Sequence, residues 1–432
     1  MTIIHRRGFL RQAAALAGAF SSGSLFDQAH AADFAAAGAR ITGLNALQSA
    51  QDEDYWAVIQ RAYSVNPNLI NLNNGGVSPA PIVVQQAVER YNQLSNEGPS
   101  YYMWRILDQG REPLREKLAA LAGTPAGEIA VNRNSTEALN TIIYGLDLKA
   151  GDEVIGCKQD YPHMIEAYRQ RAMREGIVYK QLSFDFPIED DAAIVKAYED
   201  AITPRTRLIH VTHMINWVGQ LMPVRKIADV AHAHGIEVVC DAAHSFGLMD
   251  FKIPDLHCDY LGTSLHKFLS APIGTGMLWI KSEKIEKVWP LVCNDKPRSG
   301  DIRKFEDLGT RSFPLEQGIG EALNFHNGIG PARKQARIGY LKNYWASRAQ
   351  AMPRVKLHTS LDLKYSCAIC GVSVDGMTPS ELENALFDRH KIHTVGIVWE
   401  NISCVRVTPH VYTSIADLDR LVRALEEISA KA

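Results

Sequence analysis

Short hydrophobic runs alternate with helical patterns over most of the chain beyond about residue 130. The runs are rich in β-branched residues, and the segments between them carry apolar residues at helical spacing. Seven strands are predicted, at residues 128–131, 153–157, 178–182, 207–212, 237–240, 260–262 and 276–280. Helices are predicted between them at residues 135–146, 162–174, 191–201 and 224–234. This alternation predicts an α/β fold, with a mostly parallel seven-stranded sheet flanked by helices.

The pattern changes towards the carboxyl terminus. A long helical tract follows residue 312 and runs to about Ala346, with breaks at Gly328, Gly330 and Pro331. Beyond Val355 the predicted strands stand apart, at residues 367–374, 392–398 and 404–407, and helices are predicted at 380–389 and 415–428. We therefore predict an N-terminal arm over residues 32–75, a large domain over 76–330 and a smaller C-terminal α/β domain over 331–432.

The first 31 residues differ in kind from the rest. Arg6 and Arg7 precede a weakly apolar run at residues 13–20, and Ala29-His30-Ala31 matches a small-residue cleavage site. The order of these regions resembles a twin-arginine export signal; the alternative is a cytosolic amphipathic helix. A signal over residues 1–31 predicts that the twin-arginine export machinery carries the folded protein to the periplasm. This route suits a protein that acquires a cofactor before export.

Composition and charge narrow the range of functions. The 432 residues contain 46 Lys and Arg against 48 Asp and Glu, a formal net charge of −2, so binding to nucleic-acid phosphates is not expected. No apolar run reaches the ~18 residues of a spanning helix, so we expect no membrane span in the mature protein. Seven cysteines without a repeating spacing do not indicate a disulfide framework.

Residues whose side chains are suited to catalysis or ligand binding follow several predicted strands. Ligands of open parallel sheets bind beyond the carboxyl ends of the strands. Asp241 follows one strand and Lys267 follows the next, while Ser135 and Thr136 open the helix after the first strand. A lysine can bond to the aldehyde of pyridoxal 5′-phosphate (PLP), a carboxylate keeps the pyridine nitrogen protonated, and a helix N-terminus suits the phosphate. The order of these residues therefore favours a PLP site.

Longer motifs surround these residues. They are NLNNGG at 71–76, RNSTEA at 133–138, NWVG at 216–219, DAAH at 241–244, SLHK at 264–267, LGTR at 308–311 and CVRVTPH at 404–410. Together they resemble the class V aminotransferase family, which includes cysteine desulfurases, kynureninases and isopenicillin N epimerase-like proteins. The resemblance runs from about residue 70 to 425 and implies the PLP-dependent transferase fold of type I.

Carried over residue by residue, the resemblance implies roles at the ring of the cofactor. Lys267 would bond covalently to PLP, and Asp241 would pair with the pyridine nitrogen. Asn216 and His244 would lie near the phenolic oxygen. Tyr161 would stack on the ring, with His163 as the alternative.

The resemblance also implies a phosphate site shared between subunits. Four residues of one subunit would hold the phosphate: Ser135, Thr136, Ser264 and His266. Thr310 would complete the site from the neighbouring subunit, so the resemblance implies a homodimer with shared active sites.

Substrate contacts are expected from three further residues. Arg406 would bind the α-carboxylate of an amino acid, a task that suits a planar bidentate guanidinium. Trp104 lies in an aromatic segment, residues 101–105, that is predicted as a loop and is a candidate for contact with substrate; packing of an N-terminal arm is the alternative. Arg311 is expected to contact either the substrate or the partner subunit.

The shared residues do not decide the reaction. Cysteine desulfurases need a mobile nucleophilic cysteine before the carboxylate-binding arginine, and residues 391–401 contain none. Cys404 falls within a predicted strand and is expected to be packed. Residues 161–164 and 405–412 are most similar to the isopenicillin N epimerase-like subgroup.

We therefore expect an enzyme that acts at Cα of an amino acid, free or bound to a peptide or metabolite, outside the cytoplasm. In an epimerase-like reaction Lys267 removes the Cα proton, and an acid that the sequence does not identify returns a proton to the opposite face. An aminotransferase is the alternative, since Lys267 alone suffices for it. A catalytically silent, exported binding protein is the competing hypothesis from another class.

Packing explains three further patterns better than chemistry does. Cys367 and Cys370 lie in a predicted strand, where residues three apart face opposite sides and cannot form a disulfide. His232 and His234 are two apart on a helix and do not share a face, so we expect no metal site. The residues at 274–276, GTG, precede a strand rather than a helix and do not form a dinucleotide loop.

Overall fold

The computed structural model describes residues 25–431. The predicted twin-arginine motif lies outside these residues. The described chain begins with helices α1 (Leu25–Arg40), α2 (Ala46–Ser49) and α3 (Glu53–Gln60), strand β1 (Ile70–Asn71), and helices α4 (Ile82–Glu97) and α5 (Pro99–Tyr101). A π-helical turn, Tyr102–Leu107, leads into α6 (Arg111–Ala122).

A seven-stranded sheet with alternating helices forms the centre of the molecule. Its elements are β2 (Ile129–Asn132), α7 (Ser135–Gly145), β3 (Glu153–Cys157), α8 (Pro162–Glu175), β4 (Val178–Leu182), α9 (Asp191–Ala201), β5 (Thr206–Thr212), α10 (Val224–Ala233), β6 (Glu237–Asp241), α11 (Ile253–Leu256), β7 (Tyr260–Ser264) and β8 (Gly276–Ile280). The strand order is β2-β8-β7-β6-β5-β3-β4; the β2–β8 and β8–β7 pairs are antiparallel and the other pairs are parallel. The predicted α/β class and mostly parallel seven-stranded sheet are confirmed.

A second, four-stranded sheet follows two long helices. The elements are α12 (Phe313–Ile329), α13 (Pro331–Gln350), β9 (Val355–Leu357), β10 (Cys370–Val374), α14 (Pro379–His390), β11 (Ile392–His393), β12 (Val395–Trp399), β13 (Ile402–Val407) and α15 (Ile415–Lys431). The sheet has the order β12-β13-β10-β9 and is antiparallel throughout. β1 pairs in parallel with β11, so the segment before the large sheet is attached to the carboxyl-terminal part of the chain. The exact domain boundaries stay predictions.

Local sequence explains how the large sheet presents its edge. Strand β3 is buried along its whole length, as expected of a strand covered by helices on both faces. The side chain of Asn134 accepts a hydrogen bond from the backbone of Glu137 at 2.9 Å, which fixes the start of α7 directly after β2. Gly235, with φ 70, turns the chain after α10. The Asn134 cap places the N-terminus of α7 at the edge where the parallel strands end.

Three local expectations were wrong. Residues 101–105 are helical, because Pro99 begins a short helix that continues into the π-helical turn. Residues 367–369 precede β10 instead of belonging to it, and the predicted strand 392–398 is divided at Thr394. The division has a physical cause, since residues before Thr394 pair with β1 and residues after it pair with β13. Within residues 25–431, no helix has the length and apolar character required to cross a bilayer.

Candidate active site

A cavity of about 420 Å³ lies where β5, β6 and β7 end. Each of these strands contributes its last residue to the wall, namely Thr212, Asp241 and Ser264. The start of α7 and strands β12 and β13 of the small sheet close the other sides. Ten predicted site residues line the cavity: Ser135, Thr136, Tyr161, Asn216, Asp241, His244, Ser264, His266, Lys267 and Arg406.

Lys267 lies three residues beyond the end of β7. Its Nζ is 3.2 Å from Nε2 of His244. Burial lowers the pKa of Lys267 to about 8; the charge of Arg406 acts in the same direction and that of Asp241 opposes it. More of this amine is neutral near pH 7 than in an ordinary lysine, so the amine is a competent nucleophile and base.

Asp241 ends β6 as a buried carboxylate. Its Oδ1 accepts a hydrogen bond from the backbone amide of Ala243 at 2.9 Å. Burial raises the pKa of Asp241, while this amide and the charge of Lys267 lower it. A carboxylate in these surroundings suits a cationic partner such as a protonated ring nitrogen.

His244 connects this part of the site to the loop before α4. Its Nε2 is 2.8 Å from the carbonyl oxygen of Gly75, so Nε2 carries the proton and donates. Burial and the neighbouring charges of Lys267 and Arg406 hold the pKa of His244 well below its usual range. The imidazole is therefore neutral at physiological pH.

One end of the cavity collects hydroxyl groups at a helix N-terminus. Oγ of Ser264 accepts from the backbone amide of Ser135 and donates to its hydroxyl, both at 3.0 Å. Nδ1 of His266 contacts the carbonyl oxygen of Thr275 at 2.9 Å. Together with Thr136 in the first turn of α7, these groups form an anion-binding arrangement, because the first amides of a helix carry partial positive charge.

Arg406 stands at the opposite side of the cavity on β13. Its Nη1 donates to the carbonyl oxygen of Asn216 and its Nη2 to Oδ1 of Asn73, both at 2.9 Å. Within residues 25–431 it forms no salt bridge, and its buried Nε has no hydrogen-bond partner. Burial lowers the pKa of Arg406 to about 10, which still leaves the group charged at neutral pH. A buried cation without a counter-ion suits a carboxylate ligand.

The aromatic position is the N-cap of α8. Tyr161 lines the cavity, whereas His163 is exposed and stacks on the Tyr161 ring with centroids 5.1 Å apart. The structure thus places Tyr161, the preferred of the two residues, beside the other site residues.

Three predicted site residues lie elsewhere in this chain. Thr310 and Arg311 line a different cavity, and Arg311 forms a salt bridge to Glu316 at 2.8 Å. Trp104 lies in the π-helical turn with 52% of its surface exposed. Their expected contacts with a neighbouring subunit or with substrate stay predictions.

Several lining residues were not predicted. They are Gly75, Gly76, Asn134, Thr212, Trp217, Ala243, Val395 and Ile397. A Cβ at Gly75 would come within 3.2 Å of Oγ1 of Thr408 and 3.5 Å of Cζ of Arg406, so glycine lets this loop pack closely against the end of β13. The NLNNGG motif contained this signal, but nothing in the sequence relates residue 75 to residue 406.

A buried acid behind the cavity was missed as well. Asp160 accepts hydrogen bonds from the Thr212 hydroxyl and from the amide of Cys157, both at 2.7 Å. Burial raises its pKa to about 7. Through its bond with Thr212 it supports the cavity wall.

The cysteines lie apart from the cavity. Cys404 is fully buried in β13, and burial raises its pKa to about 12. Cys367 and Cys370 are buried free thiols, although Cys367 lies outside the strand in which it was predicted. Cys293 is the exposed cysteine, in the segment between β8 and α12. All seven cysteines fall within residues 25–431, and none of them lines the cavity.

Comparison with known proteins extends this description. The family model for class-V aminotransferases matches residues 70–421. The chain is 25% identical to isopenicillin N epimerase of Streptomyces clavuligerus over 393 residues, which cover 87% of this chain and 99% of the relative. It is 24% identical to a probable cysteine desulfurase of Halalkalibacterium halodurans over 386 residues, 83% of this chain and 93% of the relative.

Solved structures show the same fold. An apo cysteine desulfurase from Thermococcus onnurineus NA1 superposes with a TM-score of 0.77 at 21% identity, covering 87% of this chain and 98% of that one. The cystine C-S lyase C-DES in complex with its product, cysteine persulfide, gives a TM-score of 0.76 at 22% identity, covering 84% and 98%.

Proposed function

Because the chain belongs to the class-V aminotransferase family, we propose that it uses PLP to invert the configuration at Cα of an amino-acid substrate. One observation carries the use of PLP on an amino acid, a step that an epimerase and an aminotransferase share. An amine with a lowered pKa and a buried carboxylate lie at one side of a cavity, and a buried arginine that forms no salt bridge within residues 25–431 lies at the other. The likeness to isopenicillin N epimerases supports this choice of reaction.

The residues present fit PLP. Asp241 is suited to the pyridine nitrogen and Lys267 to the aldehyde. The hydroxyls of Ser135 and Ser264 at the start of α7 are suited to the phosphate, and Tyr161 to one face of the ring. When bound, PLP withdraws electrons from the bonds at Cα.

The protein would position the substrate and move its proton. Arg406 would bind the α-carboxylate through its guanidinium and so fix Cα relative to Lys267. Once the amine of the substrate has taken the place of Lys267 on the aldehyde, the free Lys267 Nζ would accept the Cα proton, because its lowered pKa leaves more of it neutral. Inversion requires a second group that donates a proton from the opposite face.

An aminotransferase is the second candidate. Lys267 alone can carry a proton between Cα and the cofactor in that reaction. Burial lowers the pKa values of His244 and His266, the two histidines of the cavity, so neither is a good proton donor at neutral pH. This observation favours a reaction that needs a single acid–base group.

Desulfuration is not proposed, although some relatives are named as probable cysteine desulfurases. That reaction needs a reactive thiol that reaches the substrate. Cys404 is buried and its pKa is raised, both of which suppress the thiolate.

Export to the periplasm and a homodimer complete the proposal. The arginine pair, apolar run and small-residue site within residues 1–31 support export by the twin-arginine route. Exposed apolar side chains at Tyr101, Trp104 and Ile106 support a subunit interface. Thr310 would then reach the phosphate of the neighbouring subunit.

The reaction is tested by incubating the holoenzyme with single amino acids in deuterated water. Deuterium at Cα together with the inverted enantiomer would support the epimerase. Formation of a keto acid, with conversion of the cofactor to its amine form, would contradict the epimerase and support the aminotransferase. A protein that binds PLP but exchanges no Cα proton with any amino acid tested would be a binding protein instead.

A further inference from the structure

A lysine without an acidic partner is buried behind the residues that carry Lys267. Lys334 lies in the first turn of α13 with 2% of its surface exposed. Its Nζ donates to the carbonyl oxygen of Phe268, the residue after Lys267, and lies 3.4 Å from Nδ1 of His326. Within residues 25–431 it forms no salt bridge. Burial lowers the pKa of Lys334 to about 7, and the Phe268 carbonyl holds the amine in place of a counter-ion.

The segment that Lys334 contacts is a tight turn, residues 267–271, here called the Lys267 turn. The amide of Ser270 donates to the carbonyl oxygen of Lys267 at 3.0 Å, and that of Ala271 donates to Leu265 at 3.1 Å. Ser270 has a φ of 60, in the left-handed region that residues other than glycine rarely occupy. A turn of this kind persists when surrounding contacts hold it.

A second contact joins the Lys267 turn to the strand of Arg406. His410 lies four residues beyond Arg406, and its Nε2 is 3.2 Å from the Ser270 hydroxyl. The His410 ring also stacks on Phe268, with an interplanar angle of 15°. The amine and the guanidinium of the site are therefore connected behind the cavity through the Lys267 turn.

We propose that Lys334 is a positioning residue for Lys267. By holding the Phe268 carbonyl, Lys334 fixes the Lys267 turn and with it the location of the Lys267 amine relative to Asp241 and Arg406. The proposal rests on attachment of PLP at Lys267 and applies equally to an epimerase and to an aminotransferase.

The test measures how fast apoprotein takes up PLP as a function of pH, followed by visible absorption. In Lys334→Met the Lys267 turn loses the contact at the Phe268 carbonyl, and the Lys267 amine becomes better solvated. We expect slower uptake by about tenfold at pH 8 and a midpoint at least half a pH unit above that of the wild type. Lys334→Gln keeps a donor for the Phe268 carbonyl, so its shift should be smaller.

Lys342→Met is the matched control. Lys342 is also a buried lysine of α13 and donates to a carbonyl oxygen, that of Ser360, at 2.7 Å, but it contacts neither the cavity nor the Lys267 turn. It should lose thermal stability as Lys334→Met does, while PLP uptake keeps the wild-type midpoint. Equal changes of the midpoint in both variants would show a general loss of stability and overturn the proposal.

The remaining outcomes are also decisive. A folded Lys334→Met with the wild-type midpoint overturns the positioning role alone. If the Lys334 variants do not fold, Ser270→Ala removes the His410 contact with the turn at little cost in volume; a raised midpoint supports the proposal and an unchanged one overturns it. A wild-type protein that attaches no PLP at Lys267 removes this proposal and the proposed function together.

Discussion

The two walls of the cavity differ in whether their charged groups lie near an opposite charge. On the wall built by the seven-stranded sheet, the charges of Asp241 and Lys267 oppose each other, and an amide of the next turn binds the carboxylate. On the wall built by the four-stranded sheet, the hydrogen bonds of Arg406 within the described part of the chain go to neutral oxygens. We call these the cofactor wall and the carboxylate wall. The difference indicates that the first wall is organised around a group that stays, and the second around an anion that arrives and leaves.

The largest expected effect comes from the cofactor wall. Lys267→Ala removes the amine that is proposed to bond PLP and to move the Cα proton, so activity should fall by ~10³-fold or more. The visible band of the attached cofactor should disappear. Absorption spectra and Cα exchange measure both effects. A band that survives the substitution would contradict the assignment of Lys267.

Asp241→Asn tests the same wall with a smaller change. An amide cannot neutralise a protonated pyridine nitrogen, so we expect a loss of about 10²-fold in turnover. The charge of Asp241 raises the pKa of Lys267, so PLP uptake by the variant should also shift to lower pH. An unshifted uptake profile would show that the two groups do not interact.

Arg406→Lys tests the carboxylate wall. A lysine keeps the charge but loses the bidentate fork, and the KM for an amino acid should rise by about tenfold or more, in line with ~1.5–3 kcal/mol for a hydrogen bond to a charged group. The cofactor band should be unchanged. Arg311→Lys is the matched control, since Arg311 pairs with Glu316 in another cavity. A larger rise in KM for Arg311→Lys would indicate that a neighbouring subunit supplies the carboxylate site.

The pH dependence of PLP uptake tests the pKa of Lys267 on the cofactor wall. Only the neutral amine attacks an aldehyde, and the pKa of Lys267 is about 8. The uptake rate should therefore rise about tenfold per pH unit below 8 and level off above it. Folding lowers the pKa of Lys267 from 10.5 to about 8, so the buried ammonium group destabilises the folded protein below about pH 8. The free energy of unfolding should therefore rise as the pH increases from about 8 to about 10.5. A midpoint near 10 would mean that the amine is solvated.

The sequence predicted which residues lie together where their position depends only on the ends of neighbouring strands. Asp241, Ser264 and Lys267 follow or end neighbouring strands, and the carboxyl ends of parallel strands meet at one edge whatever the rest of the chain does. Arg406 was found by resemblance only, since its position opposite Lys267 depends on how the small sheet packs against the large one.

Other features depend on contacts that spacing does not reveal. The π-helical turn at Tyr102–Leu107 was predicted as a loop because Gly98 and Pro99 read as a break, although proline also starts helices. Lys334 gave no signal, because its partner, the Phe268 carbonyl, is a backbone atom 66 residues away. Gly75 is meaningful only once Thr408 and Arg406 are placed beside it.

The smallest expected effect belongs to Cys404, on the strand of the carboxylate wall. Cys404→Ala removes a buried sulfur next to Gly371 and should cost about 1 kcal/mol of stability through the small cavity left behind. Because the thiol is buried and its pKa is raised, Cα exchange should stay within twofold of the wild type. Cys293→Ala, at the exposed cysteine, is the control for thiol chemistry at the surface. Release of sulfide from cysteine by the wild type that is lost in Cys404→Ala would mean that β13 opens to expose a nucleophile. The carboxylate wall would then carry chemistry as well as binding, and the contrast between the two walls would no longer hold.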